Sequence, residues 1–168
     1  CRGLIPVVPV RGGGGQGEGT RAGTENWRGF TGVGAGLAAC CADMDDSRRK
    51  VSVLRDKLIA AIREIPGAKL TGSEKGRLPG NVHFCFEGVG STALLMALDM
   101  HGICASSGAA CAAHLSEPSH ALAALGLPEP PARGALRLSL SEPNTPESID
   151  YIINPMPNLI GQLRRNHI

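Results

Sequence analysis

The chain has 168 residues, 42% of them apolar but only 3% aromatic, so any core must be built mostly from Leu, Val, Ile, Ala and Met. Its net charge of +2, from 17 basic and 15 acidic residues, gives no broad electrostatic footprint for nucleic acid. No apolar run reaches the ~18 residues that a membrane span needs.

That length suits one ordinary domain, or a modest domain plus part of another. The six cysteines form no CxxC, and the adjacent pair Cys40 and Cys41 is a poor candidate for an unstrained bridge. Free thiols in a reducing, cytoplasmic setting are expected.

In chain order, LIPVVPVR (3–10) is extended by residue type, with prolines that argue against a central strand. RGGGGQGEGTRAGTEN follows as a glycine-rich loop. Residues 27–41 form a helix in spite of four glycines. A second helix runs over 47–65, where Val51, Leu54, Leu58, Ile62 and Ile65 draw one apolar stripe that Pro66-Gly67 ends. Residues 73–80 read as a surface turn, 82–86 (VHFCF) as a strand and 94–100 as a short helix. Another short strand is expected over 103–106. Ser116 as N-cap and Gly126 as C-cap predict a helix between them. Leu136, Leu138 and Leu140 alternate with Arg137 and Ser139, a strand signature. Thr145-Pro146-Glu147 opens a last helical segment, which Pro155 and Pro157 break or bend. Short strands with helices between them predict a small α/β layer. The first 40 or so residues look like the end of a different unit.

Cys111, within SSGAACAA, reads either as a packed core thiol or as an accessible one, since its neighbours are small. Cys104 in GICAS and Cys85 in VHFCF are expected to be core thiols. Arg137 either points outward or projects into a cleft, where a guanidinium matches the two oxygens of a carboxylate. Thr24, next to Gly23, offers a hydroxyl to a phosphate. RGGGG lacks the GK[ST] of a nucleotide loop. His114 follows Cys111 by three residues and reads as a solvated loop residue, the alternative being an aid to proton transfer if the loop folds back. The sequence holds no HExxH, no cysteine knuckle and no GxSxG, and no metal site is expected.

Taken together, GGGQGEGTRAGTEN, LPGNVHFCF, ASSGAACAAHLSEPSHALAALGL and ALRLSL resemble the pyridoxal-phosphate-dependent cysteine desulfurases, in the branch with SSG-x-AC at the catalytic loop. The phrases stand in the family's order and cover nearly the whole chain. The resemblance implies an α/β fold in which residues 1–45 end a large cofactor domain. Residues 46–168 would then form a small C-terminal α/β domain with a short sheet and packed helices. It implies Cys111 as nucleophile and persulfide carrier and Arg137 as holder of the substrate carboxylate. Thr24 would contact the cofactor phosphate across a homodimer. L-Cysteine would be the substrate, and a sulfur-acceptor or iron–sulfur scaffold protein the partner. The resemblance implies that the lysine anchoring the cofactor lies upstream of this region, within a His-Lys phrase; of Lys50, Lys57, Lys69 and Lys75, none follows a histidine. An isolated chain is therefore expected to have little activity. Selenocysteine lyase, and a non-enzymatic sulfur-acceptor or scaffold domain, are the alternatives.

Three phrases depart from the family's pattern. The glycine loop reads GQGEG, EGVGSTALL is one residue short, and Ser141-Glu142 replaces a common Gly-Arg.

Overall fold

A computed structural model describes residues 8–108, 122, 124–126 and 134–165. The chain divides into two compact units, Cys1–Met44 and Asp45–Ile168.

In the first unit the glycine-rich stretch stays irregular, with a tight turn over Gln16–Gly19 that holds Gly17 and Glu18 at left-handed φ of 58° and 56°. The Thr20 hydroxyl closes this turn by donating to the Gly17 carbonyl at 2.5 Å. Helix α1 (Trp27–Ala42) starts at Asn26, whose side chain accepts from the Gly29 amide at 3.1 Å and so satisfies one orphan donor of the first turn. The helix buries none of its side chains. Trp27, Phe30, Val33 and Leu37 are all exposed on it.

The second unit opens with α2 (Met44–Arg63), which carries Asp45 and Asp46 in its first turn and Arg63 in its last, the charge order that suits a helix dipole. Its stripe of Val51, Leu54, Leu58 and Ile62 is buried, as predicted, and Ile65 just beyond it as well. Gly67, at φ 71°, turns the chain into β1 (Ala68–Leu70). The remaining elements are β2 (Asn81–Phe86), α3 (Ser91–Asp99), β3 (Ala135–Ser139), α4 (Pro146–Ile153) and α5 (Met156–Arg165). Thr145 caps α4 by accepting from Ser148 N, with Pro146 in the first turn where no amide is needed. The break between α4 and α5 falls at Pro155, as the prolines predicted.

The sheet is antiparallel in the order β1-β2-β3. Side chains alternate across it, so Val82, Phe84 and Phe86 join Leu136 and Leu138 on one face. That face packs into a single core with Leu54, Leu58 and Ile62 of α2, Leu94 and Leu98 of α3, Ile149 of α4 and Met156, Leu159 and Ile160 of α5. Each fully buried aliphatic or aromatic side chain there contributes about 1.5–3 kcal/mol. This is an α/β unit, a short sheet with its helices packed together.

Two expectations fail locally. Residues 103–106 form no strand: only Ser106 bridges to β3, opposite Arg137. The Ser106 hydroxyl donates to the Gly108 carbonyl at 3.2 Å, which turns the chain away after that single pair. The strand that completes the sheet is instead β1, too short to show a period. Cys104 is exposed rather than part of the core, because its neighbour Ile103 takes the buried position. Cys85 is buried, as expected. The predicted helix from Ser116 lies mostly outside the described residues. Its closing Gly126 has the left-handed φ of 72° that suits a C-cap.

Gly80 and Gly134 stand at opposite ends of the β2–β3 pairing. The Leu140 amide donates to the Gly80 carbonyl at 2.8 Å, and the Phe86 amide to the Gly134 carbonyl at 2.9 Å. A Cβ on Gly134 would overlap the carbonyl oxygens of Phe86 and Val89, and one on Gly80 would overlap that of Leu140. These are backbone atoms with no room to yield. Gly134→Ala is therefore expected to cost about 2–3 kcal/mol of stability, read as a lower urea midpoint. An unchanged midpoint would mean that the approach is not tight in solution.

Candidate functional site

The face of the sheet turned away from the core carries Asn81, His83 and Cys85 on β2 and Ala135 and Arg137 on β3. Leu122 closes one end of it by packing with Cys85 and Ala135. The rest opens into a groove of about 490 Å³. Arg137, His83, Arg77, Thr71, Leu125 and Gly108 are among the residues that line it.

Most of these side chains are already committed. Arg77 Nη1 donates to Asn81 Oδ1 at 3.0 Å and Nε to the Ser73 carbonyl at 3.1 Å, while Nη2 donates to the Thr71 carbonyl. It ties the loop between β1 and β2 shut. Burial, with Arg55 adding to it, draws this guanidinium below its usual value. The His83 ring is held at Nδ1, 2.5 Å from Thr71 Oγ1.

Arg137 differs. Its backbone amide and carbonyl both pair with Ser106, at 2.5 and 3.0 Å. Its half-buried guanidinium has no hydrogen bond or ion pair to any described residue. No Asp or Glu lines the groove among the described residues. A guanidinium with no such partner can receive an anion, and its fork geometry matches a carboxylate.

The thiol in this sheet is not reactive. Burial pushes Cys85 up to about 11, with Lys69 opposing weakly, so it stays protonated and inert near neutral pH. Cys111, together with His114 and His120, lies outside the described residues. Gly108, three residues before Cys111 in the sequence, borders the groove beside Arg137.

Thr24 belongs to the first unit and is exposed there. Arg21 Nη1 donates to the carbonyls of Gly23 and Thr24 at 3.3 and 3.1 Å, so Arg21 braces the loop rather than offering itself to a ligand. Sequence reasoning assigned nothing to His83, Thr71 or Arg77. The available signal was the polar position of His83 between Val82 and Phe84, but its neighbourhood depends on pairings across more than fifty residues. Among the described residues, no three His, Cys, Asp or Glu are grouped to hold a metal ion. No helix among them is long and apolar enough to cross a membrane.

Residues 11–152 match the model of the class-V aminotransferases, and the chain belongs to that family. It is 45% identical over 155 residues to a cysteine desulfurase IscS of Clostridium botulinum, an alignment that covers 90% of this chain and 39% of the relative. To the cysteine desulfurase NifS of Azotobacter vinelandii it is 40% identical over 157 residues, covering 93% and 39%. Among solved structures, a NifS-like protein from Rickettsia africae superposes with a TM-score of 0.81 at 27% identity, covering 94% of this chain and 41% of that one. The chain thus spans about two fifths of the length of these relatives.

Proposed function

We propose that this chain is the sulfur-handling portion of a pyridoxal-phosphate-dependent cysteine desulfurase serving iron–sulfur assembly. The observation that carries the reading is Arg137, without a side-chain partner or an acid beside it among the described residues of a groove bordered by Gly108 of the SSGAAC stretch. The likeness to cysteine desulfurases supports it.

Arg137 would grip the carboxylate of L-cysteine and fix its orientation, which turns a diffusional encounter into a positioned one. The Cys111 thiolate would accept the substrate's sulfur. L-Cysteine and the Cys111 thiol then become L-alanine and a Cys111 persulfide, with no atom or electron left over. The persulfide sulfur passes to an acceptor protein. Thr24 would donate its hydroxyl to the cofactor phosphate across a homodimer.

Pyridoxal phosphate, when bound, supplies the electron sink for this chemistry. The residues of this chain do not make a complete holder for it. Lys50 is turned to Glu142, with Nζ 2.8 Å from its carbonyl oxygen, and Lys57 pairs with Asp150 at 2.6 Å. Neither these two nor Lys69 and Lys75 line the groove. The covalent anchor is therefore to be sought in a cofactor-binding portion that works with this one.

The test is a first-turnover measurement with L-cysteine on the complete protein and on this 168-residue chain with added pyridoxal phosphate. The complete protein should form alanine and protein-bound sulfane sulfur in equal amounts, and the chain alone neither. Alanine without bound sulfur would defeat the proposal. Turnover of selenocysteine but not cysteine would favour a selenocysteine lyase.

A further inference from the structure

His83 has no part in the reading above, yet it faces Arg137 directly across the sheet. The His83 carbonyl accepts from the Thr71 amide at 3.0 Å, on the β1 side, whereas the backbone polar groups of Arg137 face Ser106 on the other. His83 and Arg137 are therefore a non-hydrogen-bonded pair, the kind whose side chains stand closest. Two like charges at such a position repel.

The groups facing the imidazole are Arg137 from β3, Arg77 from the loop between β1 and β2, and the Thr71 hydroxyl. Lys69 shares this face further along, opposite Cys85. Glu74, whose charge acts on Arg77, is paired with Arg63. Burial first, then Arg137 and Arg77, hold His83 below its ordinary 6.5. The ring is thus neutral at physiological pH, and Nε2 has no partner among the described residues.

We propose that His83 is a positioning residue of the anion site: a carboxylate docked on Arg137 also takes a hydrogen bond from His83 Nε2, and the imidazole binds a proton as the anion arrives. This rests on Arg137 as the carboxylate receptor. A carboxylate between the two cationic groups replaces their repulsion with two attractions, each charge-assisted. Linkage then requires proton uptake on binding. Affinity should strengthen as pH falls, approaching about tenfold per pH unit between the midpoints of free and bound His83.

The experiment titrates this chain with sodium acetate, following the His83 ring and the Arg137 side chain by NMR across pH. The expected result is a perturbed Arg137 signal together with an upward move of the His83 midpoint. His83→Gln should bind acetate more weakly with no dependence on pH over the same range. A purely structural role for His83 would lower thermal stability in that variant and leave the pH slope intact. An Arg137 response with an unmoved His83 midpoint overturns this proposal and leaves the carboxylate receptor standing. No response at either residue overturns both.

Discussion

Replacing Arg137 with alanine is expected to lower kcat/KM for L-cysteine by about two orders of magnitude in the complete enzyme, and to leave the fold at least as stable. The first part follows from what the side chain would hold. Truncating one partner of a largely desolvated, hydrogen-bonded charge pair costs about 2–5 kcal/mol, and about 3 kcal/mol is some 150-fold in rate. Arg137→Lys should recover only part of this, since an ammonium lacks the planar fork. The second part follows from what the side chain lacks. Among the described residues that line the groove Arg137 has no acidic neighbour, so its removal breaks no ion pair with them. Activity assays beside thermal melts check both parts. A variant that lost activity by unfolding would contradict the groove geometry, and one with unaltered KM and kcat would end the carboxylate assignment.

Cys111→Ser is expected to abolish protein-bound persulfide in the complete enzyme, to the background of the label, while cofactor absorbance is retained. Serine keeps the size and much of the polarity of cysteine, but an alkoxide is not accessible near neutral pH and oxygen cannot carry sulfane sulfur. The other described cysteines of the second unit do not provide a substitute. Cys85 is buried and held at about 11, and Cys104 does not line the groove. Persulfide labelling of the variant at full strength would remove Cys111 from the mechanism. Mapping the label in the wild-type protein by mass spectrometry gives the same answer from the other direction.

Much of the second unit was legible because local patterns carry it. The stripe of four residues on α2 repeats with the helical period, and each of them is buried, as is Ile65 just beyond. Leu136 and Leu138 alternate with Arg137, and the strand forms with Arg137 on the face away from the core. Where the pattern misled, a residue's chemistry stood apart from its position. Cys104 reads as apolar, but Ile103 is buried and Ala105 packs against the core on either side of it, while Cys104 between them is exposed. VHFCF does have two faces, obscured in the sequence because Cys85 is as buried as the phenylalanines while packing on the opposite side. β1 is three residues long, below the length at which any period shows. Arg137 could be singled out as an anion residue from its alternation, but its groove could not. The pairing that brings His83 to it, and the bridge that brings Ser106, join distant parts of the chain, and no local propensity encodes them.

The two glycines that flank the β2–β3 ladder act as stops at either end of a ruler. Shifting β3 by one residue would carry Gly80 and Gly134 out of the places where only hydrogen fits, and it would also flip every side chain on the strand to the opposite face. The alignment of position 83 with position 137 is therefore held by backbone geometry at the ladder's ends, not by the attraction or repulsion of the two side chains themselves. The chemistry between them can be exchanged residue for residue while the spacing stays the same, which makes this pair a natural place to retune the groove for a different acid.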